Sequence, residues 1–207
     1  MMTQICPFDY CIIKLSTGQA WYNICMSITR IDNIFSKKEI DHINKIISES
    51  PTIINNELGR IQVSDLETLL LPETIEKLKE IGKPLEMGSA MSVEYSPLYG
   101  NPKLNPHFDG DTNDLIVSIQ LESNTVWPMG LNLDIHTFND NCALIFNANK
   151  EIHWRVLKHF KEGEYVRMMF VRFLNPDSLS DYSHLVIPNN PMLDEAYRFR
   201  DSLGFIS

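Results

Sequence analysis

The period of apolar and polar positions changes from helical to strand-like near residue 88, and that change marks where the β core begins. Between residues 36 and 82 apolar positions recur at helical spacing. Ile40, Ile43, Ile46 and Ile47 make one stripe, as an amphipathic helix does. At its head Ser36 and Glu39 form a capping box, Phe35 and Ile40 take the staple positions, and Pro51 lies just past its end. Residues 65–71 read as a short helical turn. A second helix is expected from Pro72 to about Ile81, with Gly82 as its stop and Ile75, Leu78 and Ile81 as its buried face. From Ser89 the period drops to two. Met91, Val93 and Tyr95 alternate with Ser92 and Glu94, the pattern of a half-buried strand.

Short apolar runs follow at 115–121, 127–135, 142–146, 152–157 and 165–174, with turn signals at 139–141, 147–150 and 161–163. Many short strands at this spacing predict a sandwich or jelly roll. Residues 11–15 and 21–31 read as a further hairpin. Asn190 and Pro191 open a last helix ending near Leu203, along which Leu193, Ala196, Tyr197 and Arg200 follow helical spacing. The expected fold is mainly β with flanking helices, in one domain over 1–207. Residues 1–88 supply N-terminal strands and supporting helices, 89–175 the β core, and 176–207 a tail and helix, with no linker composition between them.

Composition narrows the function. A chain of 207 residues can bury one substantial core. A net charge of -9 argues against a nucleic-acid backbone as partner, which needs clustered Lys and Arg. The four cysteines, Cys6, Cys11, Cys25 and Cys142, form no CxxC pair. Structural zinc is therefore not expected, and reduced thiols in a cytoplasmic protein are. No run has signal-peptide character or membrane-spanning length, so no membrane partner is expected.

Candidate chemistry centres on Pro106-His107-Phe108-Asp109-Gly110. In an extended segment positions i and i+2 point to one side, so His107 and Asp109 can grip one ion. Asp111 lies too far from His107 to replace Asp109. A third ligand is expected from His153, which follows the strand 142–146 and its turn, with His136 and His159 as competitors. Two histidines and one carboxylate on one face of a metal suit non-haem Fe(II) and O2 chemistry.

The order His-x-Asp, distant His, then a basic residue in the last strand resembles the Fe(II)/2-oxoglutarate-dependent oxygenases, in their prolyl-hydroxylase-like branch. The resemblance covers residues 89–175 and rests on Tyr95 with His107 and Asp109, on 142–156, and on 163–173. It implies a double-stranded β-helix, a form of jelly roll. It also implies Fe(II) held by His107, Asp109 and His153, 2-oxoglutarate as co-substrate with O2, and hydroxylation of a substrate. Arg167 leads as anchor of the oxo acid, with Arg155 as runner-up because it stands two residues beyond His153. On parity Arg167 shares its face with Tyr165, Met169 and Val171 and points opposite to Arg172. Tyr95 is expected either to hydrogen-bond the oxo acid or to fill the core. Trp127, Trp154 and Tyr99 are candidates to shape the substrate pocket.

The Gly-Gly-x-Thr-x-Phe segment of prolyl hydroxylases is replaced by residues 123–128. A small polar molecule such as an amino acid is therefore the first expectation for the substrate, and a peptide side chain the second. The alternative is a cupin-like jelly-roll module that binds a ligand without catalysis.

Overall fold

The computed structural model describes residues 28–109, 115–174 and 190–206. Cys6, Cys11, Cys25, Asp111 and the expected hairpin up to residue 27 lie outside them. Helix α1 (Lys37–Glu49) begins as its sequence dictates. The Ser36 hydroxyl accepts the Glu39 N–H at 3.3 Å, and the Glu39 carboxylate accepts the Ser36 N–H at 2.8 Å. The same buried carboxylate accepts from Lys77 at 2.7 Å and Thr74 at 3.1 Å, both on α2 (Pro72–Gly82). Burial alone would raise the Glu39 carboxyl, but these donors outweigh it and bring it down to about 2. Gly82 does close α2, though not through a left-handed cap. A Cβ there would stand 2.1 Å from the Phe173 ring, so glycine lets the helix lie against the sheet.

That sheet has seven antiparallel strands. Across it run β1 (Thr29–Asp32), β8 (Cys142–Phe146), β5 (Leu115–Ser123), β10 (Val166–Leu174), β4 (Glu86–Tyr95), β3 (Arg60–Val63) and β2 (Ile53–Asn55). A second sheet orders β7 (Asp134–His136), β6 (Met129–Leu131) and β9 (His153–Arg155). The inner strands of the large sheet are buried on both faces. Leu115, Val117 and Ile119 of β5, with Met169, Val171 and Phe173 of β10, pack against the layer of α1 and α2. On the other face Val93, Ile116, Phe146 and Met168 meet Trp127, Met129 and Leu131 of the small-sheet side. The expectation of a half-buried strand at Met91–Tyr95 is corrected accordingly, because β4 has helices on one side and the second sheet on the other.

Helix α3 (Pro191–Leu203), capped by Asn190, whose Oδ1 accepts the Met192 N–H, covers Ile152, Trp154 and Val156 through Ala196. The mainly β architecture with flanking helices is as expected. Two elements are not. The run 127–135 is two strands, broken at Asn132, which adopts φ 53° and accepts the Ile152 N–H on its side chain. Asparagine tolerates that left-handed conformation better than most residues. The β2–β3 hairpin was not anticipated at all, and it brings Arg60 beside Tyr95.

Candidate metal centre

The loop leading to β5 and the start of β9 meet backbone to backbone. His107 and His153 form an antiparallel bridge, donating N–H to carbonyl both ways at 3.2 and 3.0 Å. Asp109 is fixed two residues on, its N–H donating to Ala148 O at 2.9 Å. The bridge places both imidazoles on one side, and i, i+2 parity places the carboxylate with them. Asp109 Oδ1 lies 3.5 Å from His107 Nε2 and 3.4 Å from His153 Nε2. The donor atoms of the three residues lie within 4.8 Å of one another, which one cation can span.

Each ring is oriented by its own backbone. His107 Nδ1 donates to Asn105 O at 2.7 Å, and His153 Nδ1 to Glu151 O at 3.2 Å. A carbonyl only accepts, so the proton sits on Nδ1 and the Nε2 lone pairs face Asp109. Burial favours a neutral Asp109, but at the low pH where it titrates both rings carry a proton on Nε2 as well, and their hydrogen bonds and charge outweigh burial and hold the carboxyl well below its usual range. Burial pushes the His153 imidazole below its ordinary value. The set is thus a carboxylate with a neutral buried imidazole at neutral pH, the protonation that metal binding needs. The competitors lie elsewhere. His136 is in β7, and the exposed His159 ring stacks on Phe205 at 4.0 Å.

The triad opens into a cavity of about 170 Å³ between the sheets. Its walls include the apolar Met91, Ile116, Phe146 and Phe170, and among its described lining residues Asp109 is the only acid. Three arginines line it: Arg60, Arg155 and Arg172. Arg155 is 3% exposed and reaches its cavity position from the strand that carries His153. It donates to Trp127 O and to Met168 Sδ, and its guanidinium lies 5.1 Å from the Trp127 ring and 5.0 Å from that of Phe138. Burial lowers its pKa from 12.5 to about 10. Tyr95 is buried beside it, edge-on to Trp127 at 4.9 Å, and its hydroxyl accepts from Arg60 at 3.0 Å.

Arg167 is placed outside the cavity, which corrects the sequence-based choice of anchor. It lies on the helix side of β10 and bonds Glu94 at 2.6 Å, Glu122 at 3.2 Å and Asn44 of α1 at 3.2 Å. The expected opposition of Arg167 and Arg172 is what the structure has, and the inward residue is Arg172. Arg172 and Arg60 were missed. Tyr99 is on the outer side, bonded to Glu94, and Trp154 packs under α3 against Phe199. Trp127 shapes the deep end indirectly, through Tyr95 and Arg155.

No family model matches the chain, and no curated protein matches it by sequence. Solved structures do. SnoN, a non-haem α-ketoglutarate-dependent epimerase of nogalamycin biosynthesis, is similar at a TM-score of 0.57 and 10% identity, over 77% of this chain and 85% of its own. HygX from Streptomyces hygroscopicus, a structure holding nickel and 2-oxoglutarate, is similar at 0.54 and 8%, over 72% and 83%. A prolyl-4-hydroxylase from Pseudomonas putida is similar at 0.51 and 10%, over 72% and 92%. The fold is therefore a jelly roll, the double-stranded β-helix, shared with these solved structures. At these identities the likeness is one of fold, and the chemistry is argued below from this chain's own residues.

Proposed function

We propose that the chain is an Fe(II)/2-oxoglutarate-dependent dioxygenase acting on a small polar molecule, with hydroxylation as the simplest outcome. One observation carries this reading. A two-histidine, one-carboxylate set shares a cavity with a buried arginine that has no carboxylate partner among the described residues. A buried cation without an acid is costly, and a dianionic oxo acid would complete it. His107, Asp109 and His153 hold Fe(II) from one side and leave positions open. The bound iron supplies O2 activation coupled to decarboxylation of 2-oxoglutarate to succinate and CO2.

The chain's own part is placement. Arg155 takes the distal carboxylate of the oxo acid in a two-pronged pair. The Tyr95 hydroxyl, already accepting from Arg60, is left with its own hydrogen to donate to the same carboxylate. The apolar wall keeps water from the reacting positions. The modest cavity favours a small substrate over a peptide side chain.

Anaerobic Fe(II) plus 2-oxoglutarate is expected to give a weak visible charge-transfer band, and admission of O2 to give succinate. Absence of both signals would leave a cupin-like binding module. His107→Ala and Asp109→Ala are each expected to cut succinate formation more than about 100-fold while leaving the unfolding transition in place. Full turnover in either variant overturns the proposal.

A further inference from the structure

The cavity holds more positive charge than 2-oxoglutarate neutralises. Among the described residues, three guanidiniums line it against one carboxylate, Asp109, and none of the three forms an ion pair with a described residue. A divalent metal adds to the excess. An oxo diacid bound to metal and Arg155 removes only two charges, so the site remains cationic beside the metal.

The arginines also sit at different levels. Arg155 touches Met168 on β10. Arg172 lies on the same face of β10, four positions further, about 13 Å along a strand. Arg172 pairs across β5 with Ile116, and Ile116 pairs with Phe146, whose ring is 5.2 Å from the His153 ring. Arg172 is therefore level with the metal triad, and Arg155 lies deeper, with Trp127 and Tyr95. Arg60 donates to the Tyr95 hydroxyl and so belongs to the deep group, although its Nε also lacks a partner. Arg172 is half-buried, and its Nε is sealed from solvent without a hydrogen-bond partner. An orphaned buried donor of that kind is expensive unless a ligand completes it.

We propose that Arg172 recognises the substrate rather than the oxo acid, and that the substrate is a small molecule carrying a carboxylate. This rests on the oxygenase reading. A guanidinium beside the metal holds a carboxylate so that a carbon a few bonds away faces the open metal position. A neutral analogue would leave the Arg172 donors unpaired and bind poorly.

The test uses the full chain loaded with Mn(II) and 2-oxoglutarate. The probes are straight-chain monocarboxylates from acetate to hexanoate, each beside its primary amide. The readout is relaxation of the probe protons by the bound Mn(II). At least one acid is expected to bind about tenfold or more tighter than its amide. Arg172→Gln is expected to abolish that preference and Arg172→Lys to keep part of it. The affinity of Arg172→Gln for 2-oxoglutarate, expected to stay within about threefold, reports that the barrel is intact. Arg172→Met replaces it should the glutamine variant fail to fold.

Equal relaxation by acid and amide, no relaxation of any probe, or a preference that survives Arg172→Gln each overturns the proposal. So does a tenfold loss of 2-oxoglutarate affinity in that variant, which would make Arg172 the oxo-acid anchor. Failure of the unmodified protein to take up Mn(II) and 2-oxoglutarate removes the oxygenase reading and this inference with it. Normal uptake without acid preference removes this inference alone.

Discussion

Replacing Arg155 by methionine should move fold stability and co-substrate affinity in opposite directions. The guanidinium is fully enclosed. Its favourable contacts are a charged hydrogen bond to Trp127 O, worth about 1.5–3 kcal/mol, and two ring contacts of about 1 kcal/mol each. Against them stands desolvation of several kcal/mol. Burial lowers its pKa from 12.5 to about 10, a bias against the charged form of about 3 kcal/mol. Methionine fills similar volume without the charge, at the expense of leaving the Trp127 carbonyl short of a donor, about 1–3 kcal/mol. The metal-free protein should therefore be as stable as its parent or up to about 2 kcal/mol more so.

For 2-oxoglutarate the change is a loss. If Arg155 anchors the oxo acid as proposed, two charge-assisted bonds at about 1.5–3 kcal/mol each are lost, which raises Kd by about 100-fold or more. Urea unfolding of the metal-free protein gives the first quantity, and calorimetry with Mn(II) the second. A Kd within about threefold of the parent, with stability lost, would make Arg155 a packing residue and refute the reasoning.

Three other outcomes follow from the same geometry. Arg167→Ala should cost about 2 kcal/mol of stability, between the exposed and buried limits for ion pairs, and leave 2-oxoglutarate affinity unchanged by calorimetry, because its partners Glu94 and Glu122 lie on the helix side. Glu39 titrates at about 2 in the fold against 4.5 ordinarily, so it stabilises above pH 4.5. That contribution, about 3 kcal/mol, is lost as pH falls from 4.5 towards 2. Glu39→Gln should flatten the acid limb of stability over that window in urea titrations at stepped pH. Gly130→Ala would put a Cβ 2.0 Å from the Trp154 ring, and should cost about 3 kcal/mol by thermal unfolding.

What could be read from residues alone depended on how local the cause was. The caps of α1 and α3 were legible because Ser36 with Glu39, and Asn190 with Pro191, act within one turn. The convergence of the three candidate donors was legible because strand parity joins His107 to Asp109 and a strand return brings His153 back. The arginines were harder. Strand β10 is apolar on both faces, so parity could say that Arg167 and Arg172 oppose one another but not which one points inward. The deciding fact is tertiary. Arg167 is in register with Glu94 on β4 and Glu122 on β5, and those acids claim it. Arg60 was hidden by its element, since β2 and β3 are three and four residues long. The usable signal there was the Asn-rich turn ending in Gly59, between two short apolar runs.

The mutual hydrogen bonds of His107 and His153 tie the candidate site to the fold itself. The donor atoms are brought together by the pairing of two distant stretches of backbone, through hydrogen bonds that the chain makes with itself. On the proposed reading, iron would be an occupant of the barrel and not its template. A chelator should empty the site and leave a folded, refillable protein, so supply of the metal governs how much of the chain is active, while the amount folded stays the same.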